Sequence, residues 1–181
     1  MRRFQPVERR HALRLVNHGA VIMVSTGTGS EVALMPAAWN TPLSHDPPLF
    51  GVAIGAGRST LEIVREYGEM VINLPGKELL GAVMLSGKTS SRAVDKFKAA
   101  GLTRRPSRKL NSPGIEEARA HLECRVVREC PLGDHVLVVG EVVFADALEG
   151  TFGETWLSSP EGIHHLGGAA VCFTGERIEV R

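Results

Sequence analysis

Little in this chain can stack. Phe, Trp and Tyr make up 5% of its 181 residues, with a single Tyr, which argues against the aromatic platforms that hold single-stranded nucleic acid. Neither sign of charge dominates. Against 20 Asp and Glu stand 21 Lys and Arg, a formal net charge of +1, so no broad field draws nucleic acid or an acidic membrane. No apolar run approaches the roughly 20 residues that cross a bilayer. The basic start MRRFQPVERRHALRLV lacks the apolar stretch of a signal peptide. The three cysteines, Cys124, Cys130 and Cys172, follow no regular spacing. An odd, irregular set predicts reduced thiols and a cytoplasmic protein. No G-x-G-x-x-G fingerprint or Walker loop is present, which disfavours Rossmann and P-loop sites. Adjacent His164 and His165 on an extended chain point to opposite faces, so no metal site is expected.

What the chain does have is 43% hydrophobic residues, 20 Gly and 10 Pro. That suits one domain over residues 1–181 with a sizeable core and many turns. A short helix is predicted over 8–18. Strand 20–26 turns at Gly27-Thr28-Gly29-Ser30 into strand 32–38. Pro36 in that second strand predicts an edge or a bulge. After an irregular Pro-rich loop comes strand 49–54, in which Gly51 and Ala53 leave one face nearly bare. The bareness serves either tight packing or the approach of a planar ring. Further strands are predicted over 70–74, 118–126, 135–145 and 169–173. In 118–126, His121, Glu123 and Arg125 alternate outward. Helices are expected over 60–67, with Ser59-Thr60-Leu61-Glu62 as a capping box, over 78–85 and over 93–100. Few βαβ alternations appear. The fold class that follows is mainly β with inserted helices, an antiparallel Greek-key barrel.

Two polar segments stand out. The stretch from Met35 to Thr60 offers backbone amides at the edges of its loop, the indole of Trp39, and then Arg58, Ser59 and Thr60 at a helix start. Free N–H groups and partial positive charge there suit a phosphate. Downstream, Ser86-Gly87-Lys88-Thr89-Ser90-Ser91-Arg92 packs four hydroxyls and two cations into seven residues, the makings of an anion nest. Asn73, polar within an apolar strand, is either a satisfied core amide or a ligand contact. The basic segment 102–113 reads as a solvated loop, or less readily as a contact for the phosphates of a nucleotide such as NADPH. His135 either caps its turn or donates beside a reactive ring.

Several segments in order resemble the flavin reductase-like, FMN-binding split-barrel family, which includes the flavoredoxins and a ferric reductase. They are Ala37-Ala38-Trp39, Ser44, Pro47-Pro48, Arg58-Ser59-Thr60, EMVINLP at 69–75, Ser86-Gly87 with Arg92, Asp95, Lys96 and Phe97, Leu122-Glu123-Cys124, and Gly133-Asp134-His135 with Gly140-Glu141-Val142. The resemblance implies a split barrel and a homodimer holding FMN near its interface. It implies that amides of Ala37, Ala38, Trp39 and Asn40 meet the flavin ring, and that Arg58, Ser59 and Thr60 hold ribityl or phosphate oxygens. Ser86, Gly87, Lys88, Ser91, Arg92 and Lys96 then complete the phosphate end, and His135 lies near the ring edge or nicotinamide as the catalytic candidate. The activity implied is NADH- or NADPH-dependent reduction of flavin, ferric chelate or another acceptor through FMN. The alternatives are a flavoredoxin-like electron carrier, or a split barrel that binds haem or another ligand. Where many relatives carry Ser or Thr before the Trp, this chain has Ala38, and Pro36 stands where Thr is expected.

Overall fold

A computed structural model describes residues 19–157 and 161–175; the helix predicted over 8–18 lies outside them. The first hairpin is β1 (Ile22–Thr26) and β2 (Ala33–Ala37), turned where Gly27 and Gly29 take φ of 92° and 58°. A second hairpin follows, β3 (Asn40–His45) and β4 (Pro48–Gly55). The expected irregular loop is thus a strand, bulged between Pro42 and Ser44 and half exposed. Pro42 within it, Pro47 and Pro48 just after it, and the lack of a continuous apolar face hide it from sequence. Helix α1 (Ser59–Tyr67) leads into β5 (Glu69–Leu74). A 3-10 turn and α2 (Leu80–Lys88) come next, then the four-residue α3 (Lys96–Ala99) and the paired two-residue strands β6 (Arg104–Arg105) and β7 (Gly114–Ile115). The long hairpin β8 (Ala120–Leu132) and β9 (His135–Ala147) precedes a last one, β10 (Ile163–Gly167) and β11 (Ala170–Phe173).

The main sheet has seven strands in the order β2-β1-β5-β8-β9-β4-β3, every pair antiparallel. Its two outermost strands are consecutive in the chain, with only Ala38 and Trp39 between them. Laid flat, six inter-strand gaps of about 4.8 Å would part them by roughly 29 Å. Three peptide steps reach at most about 11 Å. The sheet must therefore coil until its edges nearly meet, and the short crossing at Ala37–Asn40 marks the split of an open antiparallel barrel. The Asn40 Nδ2 group ties that crossing down, donating to Ala20 O at 2.9 Å and Ala37 O at 3.3 Å.

Strand β1 is buried on both faces. Ile22 and Val24 point into the barrel with Val52, Ile54, Met70, Ile72 and Val138. Val21 and Met23 point outward into a second core, with Val83 of α2, Phe97 of α3, Leu102 and Ile115. Both glycines that pack the barrel do so by close approach. A Cβ at Gly51 would meet Leu43 Cδ1 at 2.8 Å, and one at Gly140 would meet Cys124 Cβ at 2.7 Å. Of the two readings of Gly51, packing is the one realised.

The face of β8 expected to be solvated is covered. His121 and Glu123 are buried, at 6% and 2% exposure. The Glu123 carboxylate accepts from Arg108 N and Lys109 N, both at 2.7 Å, and Glu69 Oε1 accepts from Asn111 N and Ser112 N at 2.8 and 2.6 Å. Segment 102–113 is therefore a strap anchored by two buried carboxylates, not a free loop. Its Arg105 pairs with Asp146 at 2.7 Å.

Candidate functional site

Two segments far apart in sequence meet at the free edge of β2. Helix α1 begins there with its first turn uncapped: Arg58 occupies the N-cap position, extended at φ −84° and ψ 131°, and makes no side-chain cap bond. The expected capping box is absent because the helix starts one residue earlier than that motif requires, placing Ser59 inside it. At the other end Gly68 takes φ 65° and donates to Val64 O, the left-handed stop expected there. Helix α2 arrives from the opposite side and runs on through Ser86, Gly87 and Lys88, so those three are helical rather than looped.

Between them lies a cavity of about 150 Å³ lined by Arg58, Ser59, Thr60, Ser86, Gly87 and Lys96. Met35, Pro36, Gly57, Thr89 and Ser90 complete its walls. Among the described residues no carboxylate lines it. The Ser86 side chain is 1% exposed, and its Oγ has no hydrogen-bond partner among the described residues. Lys96 is 5% exposed, and its Nζ donates to Ser86 O at 2.7 Å. Burial, and then the nearby Arg58 guanidinium, push the Lys96 ammonium down to about 8. Two cations, an orphaned buried hydroxyl, four further hydroxyls and an uncapped helix start thus converge without a balancing negative charge among the described residues. That donor set suits an anion carrying more than one charge.

The same edge carries a flat wall. The rings of Trp39 and His135 lie 4.8 Å apart, tilted by 38°. Trp39 is 42% exposed, and its carbonyl accepts from Ala53 N at 2.9 Å. His135 Nδ1 meets Asp134 Oδ1 at 2.7 Å, which holds the Asp134 carboxyl below its ordinary range. Gly55 pairs with His135 across β4 and β9. A Cβ built on Gly55 would lie 3.5 Å from Arg58 Cγ and 3.8 Å from His135 Nε2, so this bare glycine bridges the aromatic pair and the cation cavity. Behind Pro36 an apolar cavity of about 350 Å³, lined by Ala37, Ala38, Val83 and Gly87 among others, shares Pro36 and Gly87 with the first.

Four expected site residues have other partners or positions. Asn73 is fully buried; its amide donates to Met23 O at 2.8 Å and Ser25 Oγ at 3.0 Å and accepts from Ile115 N at 2.7 Å, which makes it a core amide. Ser91 Oγ closes the β2 edge against Leu34 N at 3.2 Å. Arg92 is ion-paired with Glu62 on the exposed side of α1. Lys88 lines the apolar cavity instead. The amide side chain of Asn40 is turned to the barrel seam. Gly57, Thr89 and Ser90 were not anticipated individually, although Thr89 and Ser90 fall within the hydroxyl-rich run.

Fold and cleft together define a split β-barrel with a cationic, hydroxyl-lined cleft at its edge. The chain belongs to the flavin reductase like domain family, which it matches over residues 13–167. It is 40% identical over 130 residues to an uncharacterized protein of Pyrococcus abyssi, covering 72% of this chain and 74% of that one. The FMN-binding protein from Thermus thermophilus, solved with bound 1-cyclohex-2-enone, superposes with a TM-score of 0.87 at 27% identity over the full length of both chains. Flavoredoxin of Desulfovibrio vulgaris shares the fold, with a TM-score of 0.85 at 19% identity, covering 99% of this chain and 95% of that one.

Proposed function

We propose that this protein binds FMN and works as an oxidoreductase that draws electrons from NADH or NADPH and passes them to a small-molecule acceptor. The observation that carries the reading is the convergence of Arg58, Ser59 and Thr60 with Ser86 and Lys96 on one carboxylate-free cavity, beside the Trp39–His135 pair. Arg58 and Lys96 supply the charge for a phosphate, and the amides of the first turn of α1 and the buried Ser86 hydroxyl supply directed donors. FMN, when bound, supplies a ring that accepts a hydride and releases electrons onward. The chain's part is to hold and cover it. Backbone around Ala37–Asn40 borders the ring, and Trp39 and His135 form its aromatic wall. Asp134 orients the His135 imidazole. As in the family this chain resembles, we place the ring near the interface of a homodimer.

One observation favours the carrier alternative. Segment 102–113, the part expected to meet the phosphates of a nicotinamide nucleotide, is fastened by Glu69, Glu123 and Asp146. The two readings separate in one experiment. The purified protein, loaded with FMN and mixed anaerobically with NADH and then NADPH, loses its yellow colour if it is a reductase. A yellow protein that bleaches with neither, yet is reduced by ferredoxin, is a carrier. A red-brown or colourless protein that takes up no FMN overturns the flavin reading.

A further inference from the structure

The cavity is short of negative charge by a definite amount. Arg58 and Lys96 both face it, and its lining among the described residues holds no carboxylate. The carboxylates of Glu62 and Asp95, on the elements beside it, are engaged elsewhere. On α1, Glu62 pairs with Arg92 of the 89–95 turn. On the turn before α3, Asp95 Oδ1 accepts from Lys98 N at 3.3 Å and its Oδ2 from Arg104 at 3.0 Å. On α2, Lys88 lines the adjoining cavity, and β2 carries no titratable side chain. Lys96 therefore sits nearly enclosed, with Ser86 O as its acceptor and a guanidinium as its charged neighbour. Such an ammonium is poorly supported until an anion arrives. The enclosed, unpartnered Ser86 Oγ points to the same missing ligand.

We infer that Lys96 and Ser86 make this cradle selective for a doubly ionised phosphate monoester, and that Lys96 takes up a proton as the monoester binds. The inference deepens the flavin reading and rests on its placing of a phosphate here. Two cations match two charges. A phosphate monoester carries about two near neutral pH, its second pKa being about 6, whereas each phosphate of a dinucleotide diester carries one and riboflavin none. Above that pKa the ligand no longer titrates, so any proton taken up in mild alkali belongs to the protein. In the ligand-free state Lys96 releases its proton at about 8; a dianion against Nζ restores it. The balance is one proton from solvent to the Lys96 amine, with no bond to the ligand formed or broken.

Titration calorimetry tests this with FMN, FAD and riboflavin at about pH 8.5, in two buffers of different ionisation enthalpy. At that pH native protein should take up roughly three-quarters of a proton on binding FMN, prefer FMN to FAD by about tenfold or more, and bind riboflavin more weakly still. Lys96→Arg, which keeps the charge but cannot lose it, should bind FMN with no uptake; Lys96→Met should bind weakly, without uptake, and with a reduced preference for FMN. Binding of FMN to native protein without proton uptake, or uptake that survives in Lys96→Met, overturns the inference and leaves the flavin reading standing. If FMN fails to bind, the flavin reading falls, and titration with inorganic phosphate decides the cradle: uptake sustains the inference, and no binding or no uptake ends it.

Discussion

Replacing Lys96 by Met should make the ligand-free protein more stable at neutral pH, although it removes a hydrogen bond and a buried polar group. Lys96 is 5% exposed, beside Arg58, with no carboxylate among the described residues of the cavity it lines. Its fall from an ordinary 10.5 to about 8 corresponds to roughly 3 kcal/mol against the charged form in the folded state. Met fills nearly the same volume without that cost. Against the gain stands the 2.7 Å bond from Nζ to Ser86 O, worth about 1 kcal/mol. The net expectation is a variant roughly 2 kcal/mol more stable.

The pH dependence is the sharper measurement, because it does not depend on that subtraction. Between about 8 and 10.5 the unfolded chain keeps a proton on Lys96 that the folded chain has released. The unfolded state binds more protons there, so native stability rises with pH, at up to about 1.4 kcal/mol per pH unit. Lys96→Met lacks this group, and every other titration is common to both proteins. Urea unfolding of both, without ligand, from about pH 7 to pH 10.5 should show the variant's stability relative to the native protein falling by roughly 3 kcal/mol, from an advantage to a small deficit equal to the lost hydrogen bond. Parallel stability curves would refute the reasoning, since they would mean that Lys96 keeps its ordinary affinity for a proton and that the cavity is not short of negative charge.

Arg58→Ala should weaken FMN binding by about 1.5–3 kcal/mol, roughly 10- to 100-fold in Kd, through lost charge-assisted bonds; an unchanged Kd by fluorescence quenching places the phosphate elsewhere. Gly140→Ala should destabilise by roughly 1–3 kcal/mol, since its Cβ would lie 2.7 Å from Cys124 Cβ and 3.0 Å from Met70 Cε, and a neutral result in urea melts would mean that the barrel interior yields at that point. Gly81→Ala, within α2 and with nothing within 4 Å of the added carbon, should do the opposite, adding about 0.5–1 kcal/mol by the ordinary helix preference.

How much of this was readable beforehand depended on whether the signal was local. Glycine turns, the Gly68 stop and the strand at β9 come from neighbours in sequence, and the chain's letters show them. Pro36 announced an edge strand, and β2 is one. Strand β3 is not legible because an exposed edge strand needs no apolar alternation, and Pro42 within it argues against a strand. The inward turn of His121 and Glu123 was missed for a different reason. Their cover is a strap contributed by residues 104–112, and no period within β8 reports on it. Helix α2 was read one turn short because its last turn is written in Ser, Gly and Lys, which also spell a loop.

The candidate site is separable from the core by one criterion that sequence cannot apply, namely whether a buried polar group has found its partner. Asn73, Glu69, Glu123, Ser25 and Ser112 are all polar and nearly inaccessible, and each is bonded. Ser25 Oγ donates to Pro113 O at 2.6 Å, and Ser112 Oγ accepts from Gly27 N at 2.9 Å. Together they fasten the 104–115 strap to β1, β5 and β8, which is structural work. Sequence alone leaves both Asn73, in its apolar strand, and Ser86, in its hydroxyl-rich run, as candidates. Only the fold tells them apart: Asn73 meets a carbonyl, a hydroxyl and an amide, whereas the Ser86 hydroxyl has no partner among the described residues and lies at a cavity with two cations. An unsatisfied hydroxyl costs free energy in the ligand-free protein, and so does an ammonium beside a guanidinium. Both costs fall on one wall of one cavity, and both are relieved by the same kind of ligand. Coincident, removable strain of this sort distinguishes a binding site from a packing accident.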